Sequence, residues 1–136
     1  MKICSEQEMM DFGEKLAGDY KDLDTAVVIE LVGDVGAGKT TLVRGFAKGL
    51  GVLNEVTSPS FTISKSYACE NGKILTHYDF YRLKEPGIMM EDLEEKLNDP
   101  RQIIVIEWGE SVGDLLPDGH KVINIIYNDD GTREVK

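Results

Sequence analysis

Residues 33–41, GDVGAGKTT, decide how this chain is read, together with the run AVVIELV at 26–32 that leads into them. The segment satisfies G-x-x-x-x-G-K-[ST] at every fixed position, with Gly33, Gly38, Lys39 and Thr40 in the required places. Its setting is the one such a motif needs. A Val- and Ile-rich run before it reads as a buried strand. After it, Leu42, Val43, Phe46, Ala47 and Leu50 form one apolar stripe of a helix over residues 39–50, which Gly51 stops. Glycine lets the backbone curl so that successive N–H groups converge on phosphate oxygens. The helix N-terminus adds its partial positive charge. The expectation is a polyphosphate wrapped by Gly33, Asp34, Val35, Gly36, Ala37, Gly38, Lys39, Thr40 and Thr41. Lys39 would reach the β- and γ-phosphates, and the Thr40 hydroxyl would coordinate Mg²⁺.

Working outward, the 136 residues fit a single domain over residues 1–136, large enough to bury a core. With 41% apolar and 29% charged residues the composition is that of a globular protein. No stretch approaches the ~20 apolar residues that span a bilayer. The start, MKICSEQEMMDF, has no apolar signal core, so a cytoplasmic location is expected, with Cys4 and Cys69 as reduced, structural thiols. The net charge of −10 opposes nucleic-acid binding, which rests on phosphate neutralisation. DNA is therefore not expected as a partner, nor RNA as a tightly gripped one.

Ser5 followed by Glu8 reads as a capping box, and Met9, Phe12 and Leu16 recur at helical spacing up to Gly18. Residues 54–60 (NEVTSPS) read as a loop. Phe61, Ile63, Tyr67 and Cys69 alternate as a strand, Asn71-Gly72 signals a hairpin turn, and residues 74–80 return antiparallel. Residues 91–97 read as a short helix between Pro86-Gly87 and Pro100. Residues 103–106 and 122–127 read as strands, the latter followed by a turn at Asp130-Gly131. This order predicts an α/β nucleotide-binding fold: a mixed sheet with a parallel core, antiparallel hairpin strands and flanking helices.

Phosphoryl transfer needs a carboxylate for the metal and a group that orients the nucleophile. In an open α/β sheet both belong at the carboxyl ends of strands. Glu107, after four apolar residues, has the Walker B pattern, and Asp79 ends the stretch His77-Tyr78-Asp79. Acidic strand ends are often merely solvated; the phosphate loop in the same chain is what promotes these two. His77 shares a strand face with Asp79 and is placed to orient it, or to serve as a structural histidine. Trp108, the only tryptophan, reads as a packing anchor, and His120 carries no signal.

GDVGAGKTT, TSPSF at 57–61, HYDFYRL at 77–83 and IEWGE at 106–110, in this order and spacing, resemble the TsaE (YjeE) family. The resemblance spans most of the chain. It implies a small ATPase of bacterial tRNA threonylcarbamoyladenosine synthesis, using ATP and Mg²⁺. Such an ATPase binds the TsaB–TsaD pair that carries out the transfer, resets that complex by hydrolysis, and meets tRNA only indirectly. Carried onto this chain, the resemblance puts a switch-like segment at Ser58, Pro59, Ser60 and Phe61, a functional aspartate at Asp79, a Mg²⁺-associated glutamate at Glu107 beside Trp108, and a nucleotide-contacting base at Arg133. Ser60 stands where the family has threonine, Gly109 where proline is common, and Met9 where a threonine approaches the nucleotide.

The resulting expectation is slow, partner-stimulated hydrolysis, with Lys39, Asp79 and Glu107 catalytic and Thr40 and Glu107 holding the metal. The roles of Asp79 and Glu107 are interchangeable at this level. A small-molecule kinase and a non-catalytic nucleotide sensor remain alternatives. A GTPase is disfavoured because no N-K-x-D motif occurs.

Overall fold

The computed structural model describes residues 1–34, 36–57, 64–81 and 87–136. Val35 of the phosphate loop, the segment Ser58, Pro59, Ser60 and Phe61, and the first residues of the strand expected from Phe61 lie outside the described residues.

In chain order the elements are β1 (Lys2–Ile3), α1 (Glu6–Ala17), β2 (Val27–Val32), α2 (Lys39–Gly49), β3 (Ser64–Ala68), β4 (Ile74–Asp79), α3 (Ile88–Leu97), β5 (Gln102–Glu107), β6 (Lys121–Tyr127) and β7 (Arg133–Val135). Short 3₁₀ segments occupy Glu70–Gly72 and Gly109–Leu115. Among the described residues seven strands form one sheet in the order β1-β7-β6-β2-β5-β4-β3. The core β6-β2-β5-β4 is parallel, whereas β3, β7 and β1 join antiparallel at the flanks. This is the mixed sheet expected from the sequence, with the phosphate loop leaving the middle strand, β2. No helix among the described residues is long and apolar enough to cross a membrane.

Local chemistry explains most boundaries. Ser5 caps α1, its Oγ accepting from the Glu8 amide at 3.1 Å. The Glu8 carboxylate accepts the amide of Cys4 in return, one residue earlier than a regular capping box would have it. The Asn71-Gly72 turn closes the β3–β4 hairpin with both residues at positive φ, 63° and 74°. β5 is buried at all six positions, as a strand covered on both faces must be. It also runs one residue further at each end than its apolar run suggests. Gln102 can open a buried strand because its Oε1 accepts from Thr76 Oγ1 at 2.7 Å. Glu107 therefore lies in the strand rather than just beyond it. Helix α3 likewise begins three residues before the expected Glu91.

Helices α1 and α2 cover one face, packing Met9, Leu16, Leu42, Val43 and Phe46 on Ile29, Leu31, Leu75, Ile103 and Val105. The other face packs Val28, Tyr78, Phe80, Ile104 and Ile106 against Leu93 of α3 and Val112 of the second 3₁₀ segment. The two helices approach closely at Gly45, where a Cβ would lie 2.0 Å from the backbone oxygen of Met10. α1 is thereby clamped against α2, and its N-terminal end overhangs the start of α2.

The sequence reading missed β1, β7 and the 109–115 segment. Strands of two and three residues are too short to show a period. They matter for the site, because the pairing Ile3↔Arg133 carries both residues to its rim.

Candidate functional site

A cleft of about 550 Å³ opens at the carboxyl ends of the parallel strands, over the N-terminus of α2. Its floor is the phosphate loop. Gly36 and Gly38 have φ of 84° and 107°, values that L side chains adopt at a penalty, so the curl depends on glycine at both. Gly38 is the residue before α2, so this helix has no side-chain cap, and its first turn carries no acidic residue. The leading N–H groups of a helix lack intrahelical partners. Here they belong to residues that line the cleft, namely Lys39, Thr40 and Thr41, which suits an anion.

Lys39 is the most constrained group. Its Nζ donates to the Gly33 carbonyl at 2.5 Å, lies 3.9 Å from Glu107 Oε1, and sits 4.1 Å from the centre of the Trp108 ring. Burial pushes its pKa below the usual lysine range, while Glu107 first, then Asp79, Asp34 and Glu110, pull it back up. An incoming phosphate would supply the negative charge that burial makes favourable.

Asp79 and Glu107 are register partners at the ends of β4 and β5, so their side chains share a face. Asp79 Oδ1 accepts from the Tyr81 amide at 3.0 Å. Glu107 Oε2 is bonded to His77 Nε2 at 2.5 Å. The histidine thus serves Glu107 and not Asp79, contrary to the orienting role read from the shared face of Asp79 and His77. Adjacent-strand register, which local sequence does not display, brings Glu107 into reach.

The cleft unites most of the residues singled out in the sequence. Gly36, Gly38, Lys39, Thr40, Thr41, Asp79, Glu107, Trp108 and Arg133 line it. Gly33 contributes its carbonyl to Lys39, Ala37 is buried beneath the loop, and Asp34 is exposed, its carbonyl accepting from the Ala37 amide at 3.0 Å. Arg133 bonds the loop from the rim, Nε to the Ala37 carbonyl at 3.3 Å and Nη2 to that of Gly36 at 3.2 Å, while stacked over Tyr127. Trp108 packs against the apolar core on the α3 face of the sheet, as an anchor should, and it also roofs Lys39 and meets the Tyr81 ring at 4.8 Å with the planes tilted by 46°. Met9 lies against Gly38 and lines the cleft, with Ser5 and Glu6 beside it. Ser5, Glu6, Ile3 and Tyr81 were missed as cleft residues; the cap at Ser5 was the one signal that placed a helix end there.

The donor set can be tested against a magnesium ion. Among the described residues no group of three or more His, Cys, Asp or Glu gathers to hold a metal by itself. A threonine hydroxyl, two neighbouring carboxylates and a lysine beside an open helix N-terminus suit Mg²⁺, which takes one or two carboxylates together with substrate phosphates.

Beneath the loop strand, His120 Nε2 is 2.9 Å from Glu30 Oε1, and its Nδ1 is 2.9 Å from the Pro117 carbonyl. The bond to Glu30 raises the His120 pKa, against partial burial and with help from Pro117. A raised folded-state pKa stabilises the fold fully below the unfolded value of ~6.5, and this contribution fades as pH rises through the folded value. The advantage of the wild type over His120→Leu in thermal midpoint should be largest between about pH 5 and 6 and shrink past about pH 7. An advantage that grows with pH would contradict this ion pair.

Comparison with known proteins agrees with this geometry. The family model described as threonylcarbamoyl adenosine biosynthesis protein TsaE matches residues 3–135. A tRNA threonylcarbamoyladenosine biosynthesis protein TsaE from Haemophilus influenzae is 39% identical over 134 residues, covering 94% of this chain and 82% of its own length. One from Streptomyces coelicolor is 43% identical over 103 residues, covering 75% and 68%. The crystal structure of Bacillus subtilis YdiB superposes with a TM-score of 0.76 at 30% identity, over 99% of this chain and 80% of that one. With the family model matching residues 3–135 and a relative 39% identical over most of both chains, the chain belongs to the TsaE family.

Proposed function

We propose that this protein is a Mg²⁺-dependent ATPase that acts with the TsaB–TsaD pair in forming threonylcarbamoyladenosine on tRNA, its hydrolysis resetting that complex between turnovers. The observation that carries the reading is the convergence of Lys39, Asp79 and Glu107 on the cleft above the uncapped N-terminus of α2. Family membership supports the pathway.

In this reading the amides of Gly36, Gly38, Lys39 and Thr40 bind the phosphate chain, and the Lys39 ammonium stabilises charge developing on the γ-phosphoryl oxygens. Thr40 and Glu107 would hold the metal, directly or through water. Bound Mg²⁺ would supply positive charge that offsets the charge of the phosphate oxygens. Asp79, register partner of Glu107, orients the attacking water or supports the metal. Arg133 would meet the nucleotide from the rim. Ser58, Pro59, Ser60 and Phe61 form the segment that would respond to the γ-phosphate, and Trp108 would link the site to a partner. Among the described residues the arginine at the cleft, Arg133, is engaged by the Gly36 and Ala37 carbonyls, so the chain should turn over slowly alone, since an arginine finger is worth ~10³–10⁵ in rate.

Phosphate release measured with ATP and with GTP, with and without TsaB–TsaD, tests the proposal. The expected result is Mg²⁺-dependent release from ATP that rises when the pair is added. No release under any of these conditions would favour a nucleotide sensor, and transfer to an acceptor would favour a kinase. Within the same assay Glu107→Gln and Asp79→Ala should each lower turnover about 10- to 100-fold, in the range seen when a group at a metal site is altered, with thermal midpoints close to wild type. Full activity in both variants would remove these two carboxylates from the mechanism.

A further inference from the structure

We infer that His77 is a positioning residue that decides which oxygen of Glu107 faces the cleft. His77 is fully buried on the sheet face shared with Asp79, one step below the strand ends. Its register partner is Val105, so Glu107 is its diagonal neighbour on the adjoining strand. Nε2 lies 2.5 Å from Glu107 Oε2, whereas the other oxygen, Oε1, is 3.9 Å from Lys39 Nζ. That second separation is too long for a hydrogen bond, so Oε1 keeps its accepting capacity on the side of the cleft. Nδ1 of His77 has no hydrogen-bond partner among the described residues. A neutral imidazole with its proton on Nε2 accounts for both ends of the ring. Nε2–H donates to the carboxylate, and the buried Nδ1 carries no N–H to leave unpaired.

Both strands of this contact are fixed by β4–β5 pairing, so the bond is set before any ligand arrives. It pins Oε2 toward the sheet and presents Oε1 for a metal ion or a metal-bound water. Asp79 plays no part in it, its Oδ1 accepting from the Tyr81 amide instead. The inference rests on the reading of the cleft as a magnesium–nucleotide site. It adds a residue whose effect falls on the metal and not on phosphate binding by the loop.

The test is a Mg²⁺ titration of fluorescent ATP-analogue binding to wild type, His77→Leu and His77→Gln, with binding in EDTA measured alongside. His77→Leu should raise the Mg²⁺ concentration required by about 10- to 100-fold, as loss of a partner behind a metal ligand does. Its binding in EDTA should be unchanged. His77→Gln, whose amide nitrogen can take the place of Nε2, should restore most of the Mg²⁺ response. A wild-type Mg²⁺ requirement in His77→Leu overturns the inference and leaves the reading of the cleft intact. Equal losses in both variants, with and without Mg²⁺, also overturn it, because they describe structural damage only. A wild type that binds the analogue equally with and without Mg²⁺ overturns the reading of the cleft, and this inference with it. Should His77→Leu not fold, ¹⁵N spectra of the wild type decide, since the chain has only 2 histidines. A proton on Nε2 of His77 supports the bond, and an Nε2 without one overturns it.

Discussion

Lys39→Ala should lower ATP turnover at least about a hundredfold, the scale of losing one well-placed donor to developing negative charge. In the folded chain the Lys39 ammonium is confined on three sides, by the Gly33 carbonyl, Glu107 and the Trp108 ring. A group so held adjusts little during the reaction, which is what makes it effective. The fold should survive the change. Burial already works against the charged form of Lys39, so removing it also removes an unfavourable desolvation. Glu107 keeps its bond to His77 and is not left unpartnered. Phosphate release together with a thermal melt checks both halves. Wild-type turnover in Lys39→Ala would contradict the role given to the loop, whereas a variant that does not fold would contradict the energetics assigned to the buried ammonium.

The largest effect on stability should come from the helix pair that walls the cleft. In Gly45→Ala the new methyl would meet the Met10 oxygen, carbon and Cα at 2.0, 2.7 and 2.8 Å. All three are backbone atoms, so no side chain can turn aside and the helices must separate. The favourable helix propensity of alanine, about 1 kcal/mol over glycine, opposes this only in part. A net loss of at least about 2 kcal/mol is expected, which lowers the midpoint by roughly 6–10 °C for a chain of this size. Gly113→Ala, with nothing within 4 Å of the added Cβ, serves as the control and should change stability by less than about 0.5 kcal/mol. Because Ser5, Glu6 and Met9 of the α1 end line the cleft, Gly45→Ala should also weaken nucleotide binding, although Gly45 itself does not line it. Equal stability of the two variants would show that α1 and α2 do not pack as closely as described here.

What the sequence revealed and what it concealed follow a physical division. The phosphate loop was legible because its requirements are local: glycines where φ is positive, a lysine and a hydroxyl at the first turn of a helix, an apolar strand in front. Asp79 and Glu107 were legible as ends of apolar runs. The bond between His77 and Glu107 was not, because it depends on β4 lying beside β5 in one register, a fact of topology. The same holds for His120, whose partner Glu30 is 90 residues away in sequence. β1 and β7 were missed for lack of length, and with them the route by which Arg133 comes to bond the loop carbonyls. The turn at Asp130-Gly131 was the available hint, since the analogous signal at Asn71-Gly72 was read as demanding a returning strand. Trp108 was read from its residue type as a packing anchor, with a switch or partner-linked role added by the family resemblance, and its place over Lys39 required the left-handed backbone at φ 57° that turns it back over the site.

The proposed function depends on the amides at the start of α2 and the Lys39 ammonium gripping a triphosphate beside a magnesium ion. A crystal structure of the chain with Mg²⁺ and a non-hydrolysable ATP analogue tests it most directly. The β- and γ-phosphate oxygens should lie within hydrogen-bonding distance of the Gly36 to Thr40 amides and of Lys39 Nζ, with the Thr40 hydroxyl on the metal. An analogue bound elsewhere, or a loop whose amides face away from the phosphates, would contradict it.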